Sequence, residues 1–153
     1  MAYYQKALEL QPNCAEAHVN LGNVLHAQEK LSVEQLAYYA ALKLKLGMAR
    51  KKAGDGKTAI AYYRQAIALQ PDLGEAYYNL GVVLQTQGEL AEAIASYEKV
   101  LELHPDNDEV CFNLAKIYQQ QKNFPKVIAA YRLGLKIINP QYAVHPCLLI
   151  FPK

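Results

Sequence analysis

The stretch from Glu75 to Asn107 reads EAYYNLGVVLQTQGELAEAIASYEKVLELHPDN, and it contains two helical patterns separated by a glycine. Apolar residues recur at three-and-four spacing in its first half, at Ala76, Tyr77, Leu80, Val83 and Leu84. The same spacing recurs in its second half, at Leu90, Ala93, Ile94, Tyr97, Val100 and Leu101. Gly88 ends the first pattern because glycine tolerates left-handed backbone, and Pro105 stops the second because proline lacks the N–H donor. The stretch therefore predicts a helical hairpin.

The landmarks of this hairpin recur along the chain at one fixed interval. The recurring sets are Leu46, Leu80 and Leu114; Gly47 and Gly81; Ala59 and Ala93; Tyr63, Tyr97 and Tyr131; and Pro71 and Pro105. One hairpin cannot bury its apolar face alone, whereas stacked copies can. A period of 34 with paired helices, small residues at the helix crossing and a closing proline is the pattern of tetratricopeptide repeats. The chain resembles this family from Met1 to about Pro140.

The resemblance implies an all-α fold, a right-handed superhelix of helix-turn-helix hairpins. It divides residues 1–140 into the second helix of a partial repeat at 1–12, an irregular repeat at about 15–39, and repeats at 40–73, 74–107 and 108–140. Residues 141–153 fit no repeat, and their run Leu148–Phe151 is apolar enough to need a covering surface. Because the sequence begins in the middle of a repeat, we expect a fragment of a longer array or a truncated gene product.

One repeat unit is shorter than the others. Leu21 precedes Leu80 by less than two full periods, and the shortfall is nine residues. No turn signal interrupts the region that must contain the shortfall, and Ser32 forms a capping box with Gln35 at its start. We therefore predict one continuous helix from about Val33 to Ala53. Its expected contacts are Leu36, Tyr39, Ala40 and Leu44 on residues 15–28, and Leu46, Ala49 and Ala53 on residues 57–70.

The bulk composition favours a cytoplasmic protein that binds neither nucleic acid nor membrane. The net charge is only +2, which gives no electrostatic reason to attract a polyanion. The sequence contains no signal peptide and no apolar run of membrane-spanning length. Its three cysteines form no close pair, which favours a reducing compartment. The one basic cluster comprises Lys43, Lys45, Arg50, Lys51 and Lys52, and is either a solvated helix face or a contact for an acidic partner.

The sequence predicts no cofactor, no metal site and no catalytic residue. The histidines and cysteines lack the pair spacings of zinc sites, and no nucleophile elbow is present. Gly56-Lys57-Thr58 resembles the end of a phosphate-binding loop, but Lys51 occupies the position where that loop needs its first glycine. A turn followed by a helix start explains these three residues better.

The polar residues that recur at one repeat position are asparagines, which we call the asparagine row: Asn20, Asn79 and Asn113. Lys45 interrupts the row. A carboxamide donates and accepts, so such a row can pair with the backbone of an extended peptide; alternatively, each Asn links neighbouring helices. The row resembles that of the repeat arrays of O-linked N-acetylglucosamine transferases and their bacterial relatives. By that resemblance, the concave peptide-binding face would also include Glu75, Tyr78, Val82, Gln85, Glu109, Phe112, Lys116 and Gln119.

Three functions remain open at this level. The first is a non-catalytic module that binds a peptide segment of a partner protein on its concave face. The second is the substrate-recruiting segment of a larger glycosyltransferase-type enzyme. The third is a scaffold that assembles with itself, as a homodimer formed through its open ends or by exchange of the N-terminal piece.

Overall fold

A computed structural model describes residues 14–27 and 31–138, together with residues 6, 9 and 10. Over this part the chain forms seven helices and no strand. They are α1 (Ala15–Ala27), α2 (Val33–Lys52), α3 (Gly56–Leu69), α4 (Gly74–Gln87), α5 (Leu90–Leu103), α6 (Asp108–Gln120) and α7 (Phe124–Ile138). The predicted helix at 1–12 lies largely outside the described residues, and the tail at 141–153 lies entirely outside them.

The turns between helices form where the sequence provides caps. Gly88 ends α4 in a left-handed conformation with φ 84°, as the sequence predicts. The Asn107 side chain accepts a hydrogen bond from the Val110 N–H at 3.1 Å and thereby caps α6. The Asp55 side chain caps α3 in the same way by accepting from the Thr58 N–H at 3.1 Å. The Gly56-Lys57-Thr58 segment is therefore a helix start.

The predicted continuous helix is confirmed, because α2 runs without interruption for 20 residues from Val33 to Lys52. The predicted capping box is also present at its start. The Gln35 N–H donates to the Ser32 hydroxyl at 3.4 Å, and the Ser32 N–H donates to the Gln35 side chain at 3.0 Å. Helix α2 packs on both α1 and α3.

The structure differs from the contacts predicted for α2 at Leu44, Ala49 and Ala53. Tyr39 and Ala40 are buried, and the Tyr39 ring lies against Gly22 of α1. Leu44, expected on α1, instead joins the main core formed with α3 and α4. Ala49 and Ala53, expected to pack on α3, are exposed. The physical reason is the rotation of α2: Gly47 faces α3, and a residue two positions further on lies on nearly the opposite side of a helix.

Three hairpins close around a glycine on one helix and a tyrosine ring on the next. A Cβ added at Gly22 would lie 2.5 Å from the Tyr39 ring, one at Gly47 would lie 2.5 Å from Tyr63, and Gly81 is similarly close to Tyr97. Real Cβ atoms do not approach a ring atom this closely, so each site requires glycine for the helices to meet.

The main hydrophobic core begins at Leu44 and continues through the C-terminal helices to Ala130 of α7. Ala17 and Val19 of α1 are buried, but they lie outside this core. The helix α1 is therefore held mainly by its contact with α2.

We expect the backbone amides of α1 to exchange with solvent faster than those of α4, because α1 opens without disrupting the main core. The difference in protection should be about tenfold or more, measured by hydrogen exchange with mass spectrometry. Equal protection in α1 and α4 would show that the whole array unfolds as one unit.

Candidate functional site

Side-chain contacts join the helices that come first in each hairpin, and we call the surface carrying these contacts the first-helix surface (α1, the C-terminal half of α2, α4 and α6). On it, Arg50 of α2 forms an ion pair with Glu16 of α1 at 3.1 Å. Lys51 of α2 donates to the Asn79 side chain of α4 at 2.9 Å. Helix α4 is joined to α6 by the Tyr78 hydroxyl, which donates to the Glu109 carboxylate. The surface therefore runs continuously from α1 to α6.

Asn79 lies within this surface with both of its polar groups engaged. Its amide nitrogen donates to the Glu75 carbonyl at 3.0 Å, its oxygen accepts from Lys51, and only 5% of the residue is exposed. These are the bonds of an asparagine that links neighbouring helices. Because Asn79 is buried and its oxygen already accepts from Lys51, it offers a peptide little access unless the Lys51 side chain moves.

The other two members of the asparagine row are more accessible. Asn20 is exposed on α1, and Asn113 is half-buried on α6. Asn113 lies beside Tyr78, and its side chain opposes the rise in the pKa of Tyr78. Burial, followed by the bond to Glu109, nevertheless raises that pKa to about 12, so Tyr78 stays protonated at physiological pH. The sequence placed the three asparagines at one repeat position, but it left open whether each one links neighbouring helices or is available to a peptide.

The remaining predicted site residues differ in how much surface they offer. Lys116 and Gln119 are exposed on α6, one and two turns after Phe112. Phe112 is half-buried, and its ring lies 5.9 Å from the ring of Tyr131. Val82 is half-buried, and Gln85 accepts a hydrogen bond from the buried Tyr97 hydroxyl at 3.0 Å. The side chain of Gln85 therefore supports the hairpin as well as the surface.

Two hollows adjoin the helix starts along the array. One, of about 300 Å³, is lined by Lys51, Gly54, Gly56, Val82, Val83, Thr86 and Gln87. The other, of about 230 Å³, is lined by Gly74, Glu75, Tyr78, Val100, His104, Asn107 and Glu109. Val82 opens into the first, and Tyr78, Glu75 and Glu109 open into the second. Three of the predicted residues of α4, Glu75, Tyr78 and Val82, are thus accessible from these two hollows.

The basic cluster does not form one solvated helix face, because Lys43 is only 3% exposed. Its ammonium donates to the side-chain oxygens of Asn23 at 2.5 Å and Gln65 at 2.9 Å, joining α1 to α3 across α2. Burial lowers the pKa of Lys43. The spacing of Lys43 from Ala40 and Gly47 marks it as an inward position, and this signal was available in the sequence.

A buried hydroxyl without an acceptor distinguishes one hairpin from the next. Tyr63 and Tyr97 are equivalent and fully buried, but only the Tyr97 hydroxyl has a partner, Gln85. The position equivalent to Gln85 in the preceding repeat is Lys51. The Lys51 ammonium can only donate hydrogen bonds, so it cannot accept one from Tyr63, and it donates to Asn79. Among the described residues, none accepts from the Tyr63 hydroxyl. Burial raises the pKa of Tyr63 to about 12.

We expect Tyr63→Phe and Tyr97→Phe to change the free energy of unfolding in different directions. Tyr63→Phe removes an unsatisfied buried group and should be neutral or stabilising by up to about 1 kcal/mol. Tyr97→Phe breaks the bond to Gln85 and should cost about 1 kcal/mol or more. Urea denaturation followed by circular dichroism measures both, and equal costs would contradict the difference in hydrogen bonding.

The described residues contain neither a candidate metal site nor a helix that could span a membrane. The described residues contain no group of three or more His, Cys, Asp or Glu side chains arranged to hold a metal ion. Each of the seven helices is too short or too polar to cross a bilayer.

Comparisons of the sequence with known families match repeat models at three places. Two models described as tetratricopeptide repeat match residues 44–108 and 84–143, and one described as TPR repeat matches residues 1–29. The chain is an array of tetratricopeptide repeats. Together the matches cover residues 1–29 and 44–143, and the gap at 30–43 contains the first half of the long helix α2. No curated protein matches the sequence at a significant level.

Solved structures share the fold over nearly the whole chain. A crystal structure of MamA superposes with a TM-score of 0.68 and 24% identity, covering 92% of this chain and 87% of that one. A second MamA structure gives a TM-score of 0.68 and 23% identity, over 97% and 85% of the two chains. YrrB, described as a TPR protein with an unusual peptide-binding site, gives a TM-score of 0.64 and 27% identity over 94% and 79%. These similarities establish the all-α solenoid.

Proposed function

We propose that this array is a non-catalytic interaction module that binds an extended peptide segment of a partner protein on its first-helix surface. The observation that supports this most directly is the line of polar side chains on α6. There Lys116 and Gln119 are exposed and Asn113 is half-buried, beside the rings of Tyr78 and Phe112. The peptide-binding site named for the similar protein YrrB also supports it.

The proposed mode of binding uses main-chain recognition with little dependence on the peptide sequence. The carboxamides of Asn20, Asn113 and Gln119 each donate and accept, so they match the alternating N–H and C=O groups of an extended chain. The asparagine positions resemble those of O-linked N-acetylglucosamine transferase arrays, which is a further reason to propose backbone recognition here. Lys116 adds a positive charge, which favours an acidic residue at one position of the peptide.

Asn79 contributes to this binding conditionally. Because Asn79 is buried and its oxygen accepts from Lys51, a peptide N–H that bonds to Asn79 is expected to take the place of the Lys51 ammonium. The exchange leaves the Lys51 ammonium available for a peptide carbonyl or carboxylate. The Lys51–Asn79 pair is therefore expected to open only when the peptide occupies the middle of the surface.

The test begins with a random dodecapeptide phage library selected on the immobilised protein. The strongest peptide is then labelled, and its Kd is measured by fluorescence anisotropy. We expect Asn113→Ala to weaken binding about fivefold, corresponding to roughly 1 kcal/mol for one lost hydrogen-bonded contact. Gln119→Ala should have a similar effect. The helicity and unfolding midpoint should change little, because Gln119 is exposed and Asn113 is only half-buried.

The matched control is Glu98→Ala, an exposed polar residue on the second helix of a hairpin. This variant should bind the selected peptide as the unmodified protein does. If Glu98→Ala weakens peptide binding and Asn113→Ala does not, the peptide binds on the second helices and the proposed surface is wrong. Asn79→Ala should lower the unfolding midpoint as well as the affinity, since it also removes the link to Lys51.

A further inference from the structure

The last described helix exposes a row of large apolar side chains, which we call the α7 stripe (Phe124, Ile128, Tyr131 and Leu135). These residues follow each other at spacings of four, three and four, so they lie on one face of the helix. Their exposed fractions are 64%, 39%, 37% and 36%. Single exposed apolar residues are common on protein surfaces, but a contiguous row of four on one helix indicates a surface that another segment covers.

The residues at the equivalent positions of the earlier hairpins are more buried than those of the α7 stripe. Ile60 and Tyr63 on α3, two repeats before Ile128 and Tyr131, are 9% and 0% exposed. Tyr97 on α5, one repeat before Tyr131, is also fully buried. The residues of α5 equivalent to Ile128 and Leu135 are Ile94 and Leu101, which pack against the main core. On α3 and α5 these positions are buried or packed against the main core, whereas on α7 the equivalent side chains are exposed.

We propose that the α7 stripe is covered by the chain's own segment Leu148–Phe151. This segment reads LLIF and consists of four consecutive apolar residues without a charge. Its burial on the stripe would remove apolar surface from water on both sides, which is the driving force for such a contact. The interface lies on the second helix of the last hairpin and meets the first-helix surface where the Tyr131 ring lies 5.9 Å from that of Phe112. The contact needs no bound peptide.

The length of the connection fits this placement. Nine residues, 139–147, separate Ile138 from Leu148. An extended chain of that length reaches about 30 Å. The α7 helix, with 15 residues, is about 22 Å long, so the segment can return along the whole helix.

The covalent connection between α7 and Leu148–Phe151 also favours binding of the chain's own segment over binding of the same segment from a second copy. A short flexible connection gives the segment an effective concentration in the millimolar range at the stripe. A second copy at micromolar protein concentration offers its segment at a concentration about a thousandfold lower. The intramolecular contact therefore predominates unless the protein is very concentrated.

Disulfide trapping with Cys147, which directly precedes the segment, tests the contact. Ile128→Cys places a thiol in the stripe, and Ala129→Cys places one at the next position, exposed on another side of α7. Both variants carry Cys14→Ser, while the buried Cys111 is retained. The two introduced thiols are adjacent in sequence, so the length of the loop to Cys147 does not distinguish them. Oxidised glutathione is added to dilute protein, and crosslinked peptides are identified by mass spectrometry.

We expect the intrachain disulfide to form at least about tenfold faster in Ile128→Cys than in Ala129→Cys, because the covered stripe holds Cys147 nearby. Equal rates would overturn the proposal. Predominantly interchain crosslinks from Ile128→Cys would also overturn it and assign the stripe to a second copy.

A second measurement does not depend on introduced thiols. Leu149→Asp combined with Ile150→Asp should increase amide exchange in residues 124–138 several-fold and increase the binding of an apolar dye. Gln141→Asp combined with Ala143→Asp is the matched control, adds the same charge, and should leave exchange in α7 unchanged. Unchanged exchange in the Leu149–Ile150 variant would overturn the proposal.

Discussion

Leu42→Pro is expected to destabilise the protein by about 3 kcal/mol or more. Leu42 lies in the middle of α2, far from both ends of a helix that runs from Val33 to Lys52. In an uninterrupted helix its N–H donates to the carbonyl of Tyr38, and the proline ring both removes this bond and collides with that carbonyl. Because α2 connects α1 to the main core, the loss should appear first as melting of α1. Circular dichroism and urea denaturation measure the change.

Val33→Pro is the control in the same helix. Residue 33 follows the N-cap Ser32, whose extended backbone at φ −71° and ψ 166° is compatible with a following proline. Its N–H has no partner within the helix, so proline should be tolerated there. If Leu42→Pro were as mild as Val33→Pro, α2 in solution would be two short helices joined by a loop, and the continuous helix would be wrong.

Gly81→Leu is expected to cost about 3 kcal/mol, at the upper end of the usual cost of overpacking. A single added Cβ would already lie 2.8 Å from the ring of Tyr97, and that ring is fully buried. The hairpin of α4 and α5 must therefore separate to admit a larger side chain, and separation also strains the Tyr97–Gln85 hydrogen bond. Gly81→Ala should have a smaller effect in the same direction, measured by the shift in the urea midpoint.

The matched control is Ala95→Leu, which adds three carbon atoms at an exposed position of the neighbouring helix. Its effect should remain within about 0.5 kcal/mol. An unchanged midpoint for Gly81→Leu would mean that α4 and α5 do not cross at this glycine. The pairing of Gly22 with Tyr39 and of Gly47 with Tyr63 would then be in doubt as well.

The predicted site illustrates where sequence patterns stop being informative. The repeat period places Asn79 and Asn113 at equivalent positions, yet Asn79 is buried and accepts a hydrogen bond from Lys51, whereas Asn113 is half-buried. The difference arises because Lys51 replaces the glutamine found at the equivalent position, Gln85. A long amine on α2 reaches the next helix, whereas Gln85 turns to Tyr97 within its own hairpin. Periodicity predicts the backbone position of a residue, and its partners depend on neighbours in other repeats.

The sequence by itself determined the helices, their pairing and the continuous α2, since these follow from local spacing, caps and glycine positions. It also predicted a close crossing of α4 and α5 at Gly81, expected beside Ala93; the structure shows that the ring of Tyr97 occupies this crossing. Only the tertiary structure decided that Lys43 bonds to Asn23 and Gln65, that Ala49 is exposed, and that Tyr63 has no acceptor among the described residues. Each of these depends on the rotation of one helix relative to two neighbours. Packing of the whole array fixes that rotation, which no single repeat encodes.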